Sequence, residues 1–177
     1  MMNLIQKFFS REKNNRQLIR QKFSTYFFSS PEHLWITDSS VKSHFEKLFS
    51  ILPSGVLEAM MSKYPVTFIR SEDMKFYKTP GRILTNTIVV FPEFQKLISS
   101  SKRSAVAYLA HELAFVLYEL EEGAKDTLMA EIEADKFVCD LGLTFELEEF
   151  LLMLDETVEK RLRLTYLTIN HFTHESN

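Results

Sequence analysis

The sequence predicts an α+β fold that is mostly helical, with a small antiparallel or mixed sheet of about three strands packed on a helical core. Apolar residues recur at helical spacing through most of the 177 residues. Two short runs rich in β-branched and aromatic residues, 66–69 and 87–91, interrupt that pattern and predict strands. Gly is scarce at 4 and Phe is abundant at 16, which suits helices joined by few tight turns.

Proline and glycine mark the ends of the predicted helices. Pro31 ends a first helix because it removes a backbone donor and disfavours helix in the residue before it. Gly123 and Gly142 follow two later helical patterns, as is typical of helix C-termini. Further helices are predicted over residues 39–52, 56–61, 102–122, 126–142 and 145–171.

The segment between the two strand runs carries more strand-like residues. Residues 75–77 and 82–85 could form short strands on either side of a turn at Thr79, Pro80 and Gly81. Pro92 ends the last strand. These segments are the basis for expecting about three strands.

Composition and charge limit the class of protein. A chain of this length supports one core, so we expect a single domain over residues 31–177 after an N-terminal helix. With 45% hydrophobic residues and a net charge of -3, the chain is typical of globular proteins, and no nucleic-acid partner is expected. The lone Cys139 cannot form an internal disulfide, which favours an intracellular, cytoplasmic location. No apolar stretch is long enough to predict a membrane span.

Residues 1–30 are predicted to form a basic amphipathic helix. Six Lys and Arg stand against one Glu in residues 1–28, and apolar residues recur at helical spacing. Such a helix could make peripheral contact with an anionic membrane through residues 1–28, or act as a targeting segment. We favour a third interpretation, in which its apolar stripe packs on the protein's own core.

Residues that could carry chemistry lie in two of the later predicted helices. Residues 105–110 are apolar on nearly every side, so His111 and Glu112 are predicted to be buried and to need polar partners. In the next predicted helix, Glu131 and Asp135 are four residues apart and share one face. Glu131 could supply an oxygen ligand to a metal, and Asp135 could accept the other ring N–H of His111.

These residues resemble the core of the gluzincin metallopeptidases over residues 86–141. The zinc helix of such enzymes reads H-E-x-x-H; here His111 and Glu112 fit, and Phe115 stands at the second His. The chain is most similar to the branch of the CAAX-prenyl endopeptidases and membrane heat-shock proteases. Minigluzincins and phage anti-repressor peptidases are close alternatives. The resemblance implies a zincin-like helical core, and a sheet edge that holds the substrate backbone beside the zinc helix.

The resemblance also implies a role for each matched residue. His111 would be the first zinc ligand, Glu112 the general base, Glu131 the third ligand, and Asp135 the partner that orients His111. Phe115 marks the lost second ligand, because its ring cannot donate to a metal. A catalytic zinc site needs three protein ligands and one open position, so this departure weakens the expectation that zinc binds. Without zinc, His111 is expected to hydrogen-bond to Asp135 or Glu131.

Three functional hypotheses follow. The leading one is a degenerate metallopeptidase-like domain that is catalytically inactive and acts as a binding or regulatory module, gripping an extended peptide or protein segment by strand addition. The second is an active zinc-dependent endopeptidase with an unusual second ligand. His171 or His174 could supply that ligand, whereas Glu119 would lie roughly 12 Å along the helix axis, out of reach. The third is a scaffold anchored to a membrane surface or partner by the N-terminal helix.

Overall fold

The computed structural model describes residues 16–71, 86–100, 102–123 and 127–172. It divides the chain into two compact units, Met1–Ser101 and Lys102–Asn177. Helices account for 75% of the described residues, and the sheet among them is small. The mostly helical α+β class predicted from the sequence is therefore correct.

The N-terminal unit begins with three helices. Helix α1 spans Arg16–Ser29, and a 3-10 turn at Pro31–His33 follows. Helix α2 spans Ser39–Ile51. Asp38 caps its N-terminus, because its carboxylate accepts hydrogen bonds from the Ser40 and Val41 amides. Helix α3 spans Ser54–Ser62.

Phenylalanine rings form the core of this unit. Phe23 and Phe27 of α1 are each 1% exposed, whereas Leu18 and Tyr26 are 42% and 47% exposed, so α1 buries only part of the predicted apolar stripe. The Phe23 ring meets Phe49 edge to face, with centroids 4.8 Å apart, and the Phe27 ring packs against Phe45 and Phe49. Residues 1–15 of the predicted N-terminal helix lie outside the described residues.

The described sheet consists of two parallel strands, β1 at Thr67–Arg70 and β2 at Thr87–Val90. They pair in register from Thr67 opposite Thr87 to Arg70 opposite Val90. The prediction of about three strands in an antiparallel or mixed sheet is therefore wrong for the described chain. Parallel pairing requires a crossover of a dozen or more residues, and the chain between these strands is long enough to provide one. The strands predicted at 75–77 and 82–85 lie outside the described residues.

Two side chains from the turn before α2 occupy the outer edge of β1. The Phe68 amide donates to His33 Nε2 at 3.1 Å, and the Phe68 carbonyl accepts from Trp35 Nε1 at 2.9 Å. His33 Nδ1–H in turn donates to the Phe27 carbonyl at 2.8 Å, and the His33 ring stacks on Phe27. Both outward-facing backbone groups of Phe68 are thereby satisfied. Helix α4, Pro92–Ser99, follows β2.

The C-terminal unit is built from helices in its described part. They are α5 at Ser104–Glu122, α6 at Thr127–Asp140, α7 at Thr144–Met153, α8 at Val158–Leu167, and a π-helical turn at Thr168–Phe172. Gly123 ends α5 with a positive φ of 72°, a conformation that costs glycine little. No described helix is both long and apolar enough to cross a bilayer.

The single helix predicted over residues 145–171 is broken in the structure. Thr157 starts α8 by accepting a hydrogen bond from the Lys160 amide, so it acts as an N-cap in the middle of the predicted helix. The Lys160 ammonium donates to the Leu154 carbonyl at 2.7 Å and to the Leu152 carbonyl at 3.3 Å, which satisfies the end of α7. This break turns the inward face of α8 toward α6.

Candidate functional site

The candidate site is a group of four charged or ionisable side chains in the C-terminal unit, of which His111, Asp135 and Arg163 are buried and Glu131 is partly exposed. His111 lies in the middle of α5, where residues 104–111 are all buried, and its own side chain is 3% exposed. Glu131 and Asp135 lie one turn apart on α6, the helix that packs most extensively on α5. The predicted burial of His111 and the shared face of the two carboxylates are confirmed.

Both ring nitrogens of His111 are bonded to carboxylates of α6. Nε2 lies 2.9 Å from Glu131 Oε2, and Nδ1 lies 3.0 Å from Asp135 Oδ1. The sequence predicted a bond to either acid, and the structure brings both to the same ring. Because a carboxylate only accepts hydrogen bonds, both ring nitrogens donate here when the two acids are ionised.

The fourth member is Arg163 on α8, which the sequence analysis missed. Its Nε and Nη2 donate to the two oxygens of Asp135 at 2.8 and 2.7 Å, a bidentate pairing. Its Nη1 lies 2.7 Å from Glu131 Oε2, the same oxygen that accepts from His111. Arg163 is 4% exposed, so this guanidinium is held inside the unit.

Apolar periodicity could not reveal Arg163. On α8 the apolar residues Val158 and Leu162 are 71% and 47% exposed, whereas Lys160, Arg163 and Leu167 form the buried face. The sequence offered one signal: Lys160 and Arg163 are three residues apart and so share a face of α8, and α6 carries Glu131 and Asp135 on one face. Long basic side chains can bury their stems when the charged group finds a partner.

Opposing effects set the pKa of His111. Burial alone would lower it, but the hydrogen bonds to Asp135 and Glu131 outweigh burial and raise the pKa of His111 to about 9. The imidazole is therefore protonated at neutral pH. Arg163 Nη2 lies 3.3 Å from each ring nitrogen, and since both nitrogens already donate to acids, these are contacts between two cations rather than hydrogen bonds.

The two carboxylates balance those cations. Burial would raise the pKa of Asp135, but hydrogen bonds from His111 and Arg163 lower it below its ordinary value. The pKa of Glu131 is lowered in the same way, by its bond to His111 and by the nearby positive charges. Two anions thus face two cations, and each carboxylate bridges His111 and Arg163. A buried ionic group is tolerated only with such complete pairing.

Glu112 and Phe115 lie on α5 with His111 but are not hydrogen-bonded members of this cluster. The structure shows no hydrogen bond from Glu112 to His111, Glu131 or another described member of the cluster. Burial raises the pKa of Glu112, although the positive charges of His111 and Arg163 oppose the rise. Burial, and then the negative charge of Glu112, raise the pKa of Tyr108. Phe115 lies one turn after His111 on α5 and is partly exposed.

The donors that the resemblance assigns to zinc do not fit a zinc ion in this arrangement. Two donors about 2.1 Å from one tetrahedral metal lie roughly 3.4 Å apart, whereas His111 Nε2 and Glu131 Oε2 are 2.9 Å apart and bond each other. The Arg163 guanidinium already occupies Glu131 Oε2. Among the described residues, no group of three or more His, Cys, Asp or Glu is placed to hold a metal.

The other residues considered for chemistry do not join the cluster either. Burial, and then the negative charge of Glu131, raise the pKa of Glu119. Burial raises the pKa of Asp140, and the charges of Lys136 and then His171 oppose that rise, which places His171 near Asp140 and not in the cluster. His174 lies outside the described residues. Cys139 is buried, and burial raises the pKa of its thiol to about 12, so it is a small core residue as predicted.

Comparison of the chain with family models, curated proteins and solved structures finds no match.

Proposed function

We propose that the chain is a degenerate metallopeptidase-like domain that does not hydrolyse peptides and acts as a binding or regulatory module. The observation that carries this proposal is that His111 and Glu131 bond each other and Arg163 instead of presenting free lone pairs. The lone buried Cys139 is compatible with an intracellular, cytoplasmic location for such a module.

Zinc hydrolysis requires groups that this cluster does not offer. Both ring nitrogens of His111 lie within hydrogen-bond distance of carboxylates, so zinc would have to displace a ring proton and one of these bonds. Phe115 supplies no third donor. The general-base role of Glu112 depends on a metal-bound water to activate, and Glu112 makes no described bond to the cluster. The geometry thus favours a structural function for His111 and Glu131.

The outer edge of β2 is the surface we propose for binding an extended segment. The amides of Thr67 and Ser71 donate to the carbonyls of Asn86 and Val90, so alternate residues of each strand face the partner strand. Thr87 and Val89 therefore direct their amides and carbonyls away from β1. Among the described residues, no hydrogen bond is made to those four groups.

The two edges of the sheet differ in a way that supports this choice. His33 and Trp35 occupy the outer edge of β1, which leaves Phe68 no backbone group for an added strand. The outer edge of β2 has no such side-chain cover in the described chain. A segment added there would gain main-chain hydrogen bonds, with side-chain specificity from alternate positions.

The absence of hydrolysis is tested with a mixture of quenched fluorescent peptides. Wild type and Glu112→Gln are assayed together in the presence of zinc chloride, and we expect the same background signal from both. Zinc-dependent cleavage by the wild type that disappears in Glu112→Gln would overturn the proposal and favour an active endopeptidase.

The binding edge is tested by panning a displayed library of extended peptides against the wild type. Val89→Pro removes one outward amide, and proline is tolerated on edge strands, so the sheet should persist while selected peptides bind at least tenfold more weakly. Arg70→Pro is the matched control, because it removes an outward amide from the opposite edge. Equal losses in both variants would contradict binding at β2.

A further inference from the structure

Arg163 contacts each of the other three members of the cluster, namely His111, Glu131 and Asp135. It holds both oxygens of Asp135 and one oxygen of Glu131, and it touches both ring nitrogens of His111. Glu159, one turn earlier on α8, lies 3.9 Å from the same guanidinium and is half exposed. One cation from α8 therefore meets every other member of a cluster formed by α5 and α6.

We propose that Arg163 stands in for the metal ion that the gluzincin resemblance assigns to this site. Its guanidinium neutralises the carboxylates of Glu131 and Asp135 and prevents zinc from binding, independently of Phe115. The inference rests on the proposed function, since it assumes that the cluster derives from a metal site. It adds that two residues, Phe115 on α5 and Arg163 on α8, each prevent this chain from binding zinc.

A guanidinium suits this position for reasons of geometry and charge. It is planar, carries five N–H donors and stays protonated, so it can bridge two carboxylates without exchanging with solvent cations. Glu131 Oε2 already accepts from His111 Nε2 and from Arg163 Nη1. A metal bound to that oxygen would displace Arg163 or bring a divalent charge against a buried monovalent one.

This arrangement predicts that restoring the missing histidine is not enough to bind zinc. Four proteins are compared: wild type, Phe115→His, Arg163→Met and the double variant. Each is loaded with zinc chloride and dialysed, and the metal retained per chain is measured by atomic emission. We expect about one zinc per chain in the double variant only, because three protein ligands are then free.

Matched controls separate this effect from a general loss of charge. Arg161 lies two residues before Arg163 on α8 but is exposed and bonded to Glu156, so Phe115→His with Arg161→Met should retain no zinc. Where Arg163→Met leaves Asp135 with only His111 to balance its charge and the protein unfolds, Asp135→Asn is added. Asparagine still accepts from His111 Nδ1–H but carries no charge. Zinc retention and a zinc-dependent rise in melting temperature are expected in that triple variant.

The outcomes distinguish this inference from the proposed function. Equal zinc in Phe115→His and the double variant would overturn the role of Arg163 while leaving a degenerate peptidase-like domain intact. Tight zinc in the wild type would overturn both. If no folded variant binds zinc, both the metal-like role of Arg163 and the derivation of the cluster from a gluzincin site are wrong. Peptide binding at β2 is tested separately by Val89→Pro.

Discussion

Two of the buried histidines, His33 of the N-terminal unit and His111 of the C-terminal unit, show how partners rather than burial decide the charge of a side chain. His33 is 5% exposed and His111 is 3% exposed, so water solvates neither. His33 bonds backbone atoms and packs against the rings of Phe27 and Phe68; burial lowers its pKa, although the charge of Glu32 opposes this. His111 lies between two carboxylates, and its pKa rises to about 9.

The two rings consequently stabilise their units in different ways. His33 acts as a neutral link that donates to the Phe27 carbonyl and accepts from the Phe68 amide, connecting α1 to β1. His111 acts as a cation that connects α5 to two acids of α6. A histidine in an apolar sequence context can thus be a neutral connector or a charged one, and the contacting groups decide which.

The largest effect is expected from removing the second cation of the charged cluster. Arg163→Leu leaves Asp135 buried with only His111 to balance it, and breaking a buried ion pair costs about 3–5 kcal/mol of unfolding free energy. Urea unfolding measures this loss. Arg161→Leu is the control, since Arg161 is exposed and its removal should leave the urea midpoint unchanged. Similar midpoints for the two variants would show that the cluster contributes little to stability.

The charged histidine should also make stability depend on alkaline pH. The folded-state pKa of about 9 lies above the ordinary value of 6.5, so the contribution of His111 is fully present below pH 6.5 and is lost as pH rises through 9. The loss is at most about 3 kcal/mol for a shift of this size. Urea midpoints measured from pH 6 to pH 10 give the slope.

The groups that face His111 stay charged through that range, so the slope can be attributed to one ring. Asp135 and Glu131 have lowered pKa values, and Arg163 remains protonated. His111→Gln keeps a hydrogen-bonding side chain without a titrating ring and should abolish the decline between pH 7 and 9. An undiminished decline in His111→Gln would assign it to another group.

The smallest effect is expected at the neutral histidine. His33→Phe preserves an aromatic ring against Phe27 but leaves the Phe68 amide unpaired, which costs about 1–3 kcal/mol. His44→Phe is the control, because His44 bonds only the Ser40 carbonyl within its own helix, and its loss should cost less. Urea unfolding compares the two variants.

The neutral histidine should also give the opposite dependence on pH. Because burial lowers the folded-state pKa of His33 below 6.5, its contribution is present above pH 6.5 and is lost on acidification through the folded-state value. An NMR titration of the two rings tests the comparison directly. Titration of His33 above pH 6.5, or of His111 below it, would break the contrast drawn here.

Part of the candidate site could be predicted from local pattern alone. The apolar run before His111 fixed its burial, and the four-residue spacing of Glu131 and Asp135 placed both acids on one face of a helix. Arg163 could not be found in this way, because it lies 52 residues from His111 and shares its helix with exposed apolar residues. The contact depends on the break at Thr157, which the pattern of residues 145–171 did not show.

Local sequence pattern was enough to predict the mostly helical class, the positions of β1 and β2, and the burial of His111, since each depends on neighbours within about one helical turn or on strand-forming composition. Tertiary structure alone decided the parallel pairing of the strands, the cover that His33 and Trp35 provide over one edge, and the cation that meets His111. Those features join residues tens of positions apart. Their energy comes from packing and charge compensation between elements, which local periodicity does not encode.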